Sequence, residues 1–199
     1  MGSLPPSEGP PEPTAAECQV ADLLPIEADP EIARAVLDRV PLWFHTFSLD
    51  GSKELYTHGI ARDHRYRIPA LPHDFDGMSV LDVGTFDGFY AFLAEARGAR
   101  RVVAVDNEQY REWVSSRWGI ELEGGEGFTA IRELLDSEVD YRRLDAFDLD
   151  ELGETFDSMH EAKKQLFDYI EVFYNRSRRH SSIDYRSPAR YETEQRLAA

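Results

Sequence analysis

The chemistry in the first half of this chain is concentrated in DVGTFDG, residues 82–88, and in Asp106, about twenty residues further on. A short apolar run, Val80–Val83, leads into Gly84. A glycine at the end of a buried strand lets the backbone turn tightly and come close to a ligand. The helix opening at Asp87-Gly88 would then offer unpaired N–H groups to a phosphate or carboxylate. Asp106 ends a second apolar run, Val102–Val105, where an acid is placed to accept ribose hydroxyls. Glycine spacing alone also fits a plain packing turn between strand and helix. Strand, glycine turn, helix and strand-terminal acid together point to a nucleotide-type ligand.

A second set lies far downstream. Arg176, Arg178, Arg179 and His180 form a basic loop between Tyr174 and Tyr185. Such a loop could contact phosphates while the tyrosines pack or stack on bases. A solvated basic turn after a core-facing helix explains the same residues. His45 sits among aromatics in WFHTF, residues 43–47, and reads as structural or substrate-shaping rather than catalytic.

The elements that must position these residues follow from pattern. Asp29-Pro30-Glu31 is a helix start, and Ile32, Val36 and Val40 supply its apolar face. Trp43–Phe47 alternates as a strand would. Residues 78–106 read as strand, helix and strand, with Phe89, Phe92, Leu93 and Ala96 on the helix and Gly98 closing it. Trp113, Val114 and Trp118 suggest a further helix with core side chains. Phe128, Ile131, Leu134 and Leu135 fit one face of another helix, and Val139–Asp145 fits a third strand ending in an acid. In the tail, Ala162, Leu166, Tyr169, Ile170 and Phe173 predict a helix over 160–175, with a second helix start at Tyr185–Pro188.

Composition bounds the class. The chain has 199 residues, enough for one ordinary domain with a core. Residues 1–25 carry six of the eleven prolines and no apolar period, so residues 1–28 are expected to be a disordered Pro/Glu-rich leader. Nothing resembles a secretory signal or a membrane span, and the lone Cys18 excludes an internal disulfide, so a cytoplasmic protein is expected. The net charge of −16 is uneven: residues 158–199 hold eight basic and six acidic residues, and residues 1–157 hold 14 and 32. So acidic a body disfavours broad nucleic-acid binding, whereas the tail does not share its sign.

The stretch LDVGTFDGFYAFLAEARGARRVVAVD resembles the first motif of class I S-adenosylmethionine-dependent methyltransferases. It is closest to the branch related to tRNA wobble-uridine methyltransferases, and WFHTF with HRYRIPALP resembles the segment before that motif. The similarity covers about residues 40–157. It implies that the turn residues Asp82, Gly84, Thr85, Phe86 and Gly88 hold the methionine end of S-adenosylmethionine, that Asp106 binds the ribose, and that Asp145 and Ala146 face the adenine. Asp145 reads equally as a strand-end cap. Phe86 departs from the pattern, since a glycine is commoner there. The family sheet has seven strands, and ETFD, residues 154–157, looks like the lead-in to the fourth. That strand normally pairs with the first, but the pattern is left at about Ser158. The acceptor pocket would be missing, so no catalytic residue and no metal site are assigned and the methyl acceptor is left open.

EAKKQLFDYIEVFYNRSRRHSSIDYRSPARYE, about residues 161–192, looks like the C-terminal end of insertion-sequence transposases with a retroviral-integrase-like core. Those enzymes use three metal-binding acids that precede this segment, and Glu161, Asp168 and Glu171 do not occupy their positions. The expected architecture is therefore a chimera. A truncated Rossmann-like α/β domain at 29–157, with about three parallel strands plus helices, is followed by a helical transposase tail at 158–199. The expected function is weak S-adenosylmethionine binding at most, without turnover. The alternative is a transposase or integrase remnant that associates with DNA or an intact transposase through its basic tail. A third reading makes the tail helix a cover for the bare sheet edge.

Overall fold

A computed structural model describes residues 23–50, 54–61, 64, 68–146, 148, 149 and 190. The chain divides into two units, residues 1–146 and 147–199. The fold of the first is what positions the candidate site.

Helix α1, Pro30–Arg39, starts as its sequence dictates: the Asp29 carboxylate accepts the Glu31 N–H at 2.8 Å, with proline in the first turn. Its buried face differs from the expected one. Ala33, Val36 and Val40 face inward, while Ile32 is 52% exposed. The 33–36–40 spacing is as helical as 32–36–40, and the smaller side chain won the close-packed position.

The expected strand at Trp43–Phe47 is not formed. The segment makes only single bridges, His45 with Ala61 and Ser48 with Tyr56. The reason lies in its donors. The Phe44 and His45 N–H groups are taken by the Asp87 carboxylate at 2.9 and 2.7 Å, and the Phe47 N–H by the Thr57 hydroxyl at 2.9 Å. A backbone whose donors go to side chains cannot build a ladder.

The sheet is parallel in the order β1–β2–β3, with β1 Ser79–Val83, β2 Arg101–Asp106 and β3 Asp140–Arg143. Register runs from Ser79 opposite Arg101 to Val83 opposite Val105, and from Val103 opposite Asp140 to Asp106 opposite Arg143. Helix α2, Phe89–Ala96, joins β1 to β2; helices α3, Tyr110–Trp118, and α4, Glu126–Leu135, lie between β2 and β3. Parallel strands need such crossovers. Central β2 is buried from Val102 to Asp106, whereas β1 and β3 are partly open along their length. Among the described residues, the outer edge of β1 has no strand partner. The expected fourth strand and the tail helix lie outside the described residues.

The core joins α2 and α4 on the same face of the sheet. Phe89, Phe92 and Leu93 are buried on α2, while Ala96 is exposed and Ala91 and Ala94 take the inner positions. Phe128 packs between Phe92, with ring centres 4.8 Å apart, and Tyr141 of β3 at 4.6 Å. Ile131 is buried, and Leu134 and Leu135 are half-buried. On α3 only Val114 is buried. Trp113 is 52% exposed and meets Trp118 edge-on, so it is not the core residue expected. Strand β3 also stops earlier than expected. Its ladder ends at Arg143, the Leu144 N–H closes onto the Asp106 carbonyl, and Asp145 follows the strand rather than ending it.

Candidate functional site

The turn after β1 is built by its own residues. Gly84 adopts φ 75°, a left-handed conformation that glycine enters without penalty, and its N–H bonds the Val105 carbonyl at 2.8 Å. A side chain at Gly84 would meet nothing within 4 Å, so the turn presents open backbone there. Thr85 is buried and donates its hydroxyl to the half-buried Asp82 at 2.7 Å. Burial raises the Asp82 carboxyl above its usual range, and the Thr85 hydroxyl partly offsets this.

The Phe86 backbone takes a left-handed, glycine-like conformation, φ 51°. A non-glycine residue there carries strain of about 1 kcal/mol. Three contacts hold it. Its N–H donates to Asp106 at 2.9 Å, and its ring lies 5.4 Å from Phe44 and 4.1 Å from Tyr110. Gly88, at φ 81°, precedes α2 where a side chain would run into the rings of Phe92 and Phe128.

Asp106 reaches back to this turn from the tip of β2. One oxygen accepts the Phe86 N–H, and the other accepts the Glu108 N–H at 2.7 Å. It is only 5% exposed, and desolvation raises its carboxyl above the usual range against the effect of both N–H donors. Asp145 comes to the same end of the sheet, where Asn107 donates to it at 2.8 Å. Ala146 follows, half-buried. The structure thus brings Asp82, Gly84, Thr85, Phe86, Gly88, Asp106 and Asp145 to the C-terminal ends of the parallel strands, where ligands of open α/β sheets bind. The basic residues Arg176, Arg178, Arg179 and His180 lie outside the described residues.

Two groups were not anticipated. Asp87, fully buried, accepts the Phe44 and His45 N–H groups and pairs with the His45 ring nitrogen Nδ1 at 2.6 Å. It ties the segment before the sheet to the glycine turn. His45 is buried and stacked on Phe89 at 5.2 Å, which fits the structural role expected of it. Glu108, also buried and at φ 57°, accepts from the Tyr141 hydroxyl at 2.9 Å and pairs with Arg143 at 2.6 Å. A side chain on Gly124 would collide with its carboxylate. Burial and Glu108 push the Tyr141 hydroxyl up, and the same carboxylate pushes the Arg143 guanidinium up. A cleft of about 530 Å³ beside the β2 tip is lined by Asn107, Glu108, Arg111, Ser115 and Glu121, among others. The only sequence signal for Glu108 was an acid two residues beyond the strand-end acid; Tyr141 and Arg143, which it holds, lie more than thirty residues away.

The chemistry of this donor set suits a hydroxyl-bearing ligand held loosely. Gly84 leaves room at the turn, and each Asp106 oxygen keeps a second lone pair beside the N–H that it accepts. Its small exposure limits how much of a ligand can reach it. Among the described residues, no three His, Cys, Asp or Glu side chains gather as a metal site. None of the described helices is long and apolar enough to cross a membrane.

Comparison with known proteins bears on the tail. A family model described as "Integrase core domain" matches residues 151–197. The C-terminal segment is therefore similar to part of an integrase core, in line with its transposase resemblance. The match starts upstream of Ser158, so ETFD falls within it, while residues 23–146 fall outside it. No curated protein matches the chain.

Proposed function

We propose that this protein is a fusion. Its body is a methyltransferase-like unit that holds S-adenosylmethionine weakly and does not turn it over, and its tail is the end of a transposase. The observation that supports the first half is the turn itself: left-handed Gly84 with open space above it, and Asp106 folded back onto the Phe86 N–H. In this reading Gly84, Thr85 and Phe86 line the methionine end, Asp106 accepts the ribose hydroxyls, and Asp145 with Ala146 flanks the adenine. When bound, the cofactor would supply an activated methyl group. Methyl transfer also needs an acceptor aligned at close range, and in this reading the segments that build that pocket in the resembled family are replaced by the tail from about Ser158. Calorimetric titration with S-adenosylmethionine tests the body. Weak, saturable binding that Asp106→Ala abolishes, in a variant with an unchanged circular dichroism spectrum, supports the reading. Absent binding, or transfer of a labelled methyl group to any acceptor, overturns it.

A second reading rests on the integrase match at 151–197. Here the chain associates with DNA, or with an intact transposase, through Arg176, Arg178, Arg179 and His180, and performs no strand transfer itself. Retention on duplex DNA that falls with salt and disappears when the three arginines become alanine supports it. Retention that survives the triple substitution overturns it.

A further inference from the structure

Helix α3 carries two tryptophans, and the core takes up only part of them. Within its sequence, YREWVSSRW, Val114 is the buried residue. Trp118 is half-buried against Leu42, Val114 and Leu122, whereas Trp113 is 52% exposed. Their ring centres lie 4.8 Å apart with the planes at 74°, so the two indoles meet at a corner and do not cover each other's faces. Arg117 stands four residues after Trp113, on the same side of the helix, and is exposed. Among the described residues it has no ion-pair partner. A rigid aromatic surface beside an unpaired cation suits an extended, acidic, proline-containing segment.

We infer that this aromatic corner is the docking site for the proline-rich leader of the same chain, LPPSEGPPEP, residues 4–13. Such a sequence favours the polyproline helix, with three residues per turn, which aromatic surfaces bind at low entropic cost. On that period Pro10 and Pro13 share one face, and Glu12 lies between them in sequence as the partner for Arg117. Residues 1–22 hold four acidic residues and no lysine or arginine, so the charges are complementary. The size of the surface selects an attached ligand. One exposed and one half-buried indole offer far less than the roughly 800 Å² per partner of a stable interface, too little to hold a second copy or a separate protein. A tethered segment is present at an effective concentration on the order of millimolar, and a small contact then suffices. Residues 14–22 supply a tether of about 30 Å when extended. Helix α1, about 15 Å long, separates Asp29 from Val40, and Leu42 belongs to the cluster against which Trp118 packs, so the tether is long enough. The docking does not depend on the cofactor reading.

Cys18 is the single cysteine of the chain, so a nitroxide attached to it reports where the leader lies. The three tryptophans give three indole N–H resonances in the ¹⁵N-labelled full chain, and Trp113→Ala identifies that of Trp113 by its loss. The Trp113 resonance should be broadened by the nitroxide and recover when the label is reduced. The variant Pro5→Ser, Pro6→Ser, Pro10→Ser, Pro11→Ser, Pro13→Ser should lose most of that broadening, with the Trp43 resonance at its original position as the sign of an intact body. Arg117→Glu should weaken the broadening at low salt, where the ion pair is least screened. Trp113→Ala should lower the broadening of the Trp118 resonance. Spin-labelled chain without ¹⁵N, mixed with unlabelled-cysteine ¹⁵N chain, should broaden nothing. Broadening that is absent, that survives the serine substitutions, Arg117→Glu or Trp113→Ala, or that appears in the mixture overturns the proposal.

Discussion

Asp87 has no exposed surface and three hydrogen bonds, all to the segment that precedes the sheet. A buried carboxylate of this kind is expensive to leave half-satisfied: truncating it strands two backbone N–H groups and one imidazole. Asp87→Ala should lower unfolding free energy by about 3–5 kcal/mol, measured by urea denaturation. A loss under 1 kcal/mol would mean that Phe44 and His45 find other acceptors. Asp82 behaves in the opposite way. Its folded-state pKa is raised by burial, so its favourable contribution is complete below the unfolded value of 3.8 and is lost as pH rises through the folded value. At neutral pH the protein carries that cost. Asp82→Asn removes the charge and keeps an acceptor for the Thr85 hydroxyl, so Tm should rise by a few degrees at pH 7. The gap should narrow as pH falls toward 4; a gap that is constant with pH would contradict the assignment.

At the scale of elements, Glu108, just past β2, holds Tyr141 and Arg143 of β3, and its carboxylate lies against Gly124. Glu108→Ala leaves the Tyr141 hydroxyl without its acceptor and breaks the ion pair to Arg143, which keeps the Glu123 and Gly124 carbonyls, and should cost about 2–3 kcal/mol, read from thermal unfolding. Glu108→Gln should recover part of this by keeping one oxygen for Tyr141. The β–α–β unit was legible in sequence because its signals are local: glycines at 84, 88 and 98 and a 3.6-residue period from Phe89. What failed was decided at a distance. Trp43–Phe47 has strand-like alternation, but its backbone donors are claimed by Asp87 and Thr57, which local pattern cannot reveal. Ile32 and Trp113 looked like core by type and spacing, yet each sits beside a smaller or branched residue that took the inner position, Ala33 and Val114. Within the candidate site, the turn and Asp106 were legible, whereas the Glu108 partners were not. Tyr141 and Arg143 share one face of β3 by alternation, but nothing local says which acid they meet.

For the whole molecule, the separation of charge governs any contact with DNA. Three arginines can each release about one counterion from a phosphate, so log affinity against log salt should have a slope no steeper than about −3 on duplex DNA. Residues 1–157 carry a net charge of −18, which repels the same phosphates at low salt. The segment 158–199 alone, with eight basic and six acidic residues, should therefore bind duplex DNA more tightly than the full chain at low salt. The two should converge as the screening length falls to about 10 Å near 0.1 M salt, because the repulsion acts over a longer range than the arginine contacts. Fluorescence anisotropy with one labelled duplex across a salt series measures both slopes. If the full chain binds as tightly as the segment at low salt, the acidic body does not oppose DNA. A full-chain slope well beyond −3 would require phosphate contacts outside the arginine loop.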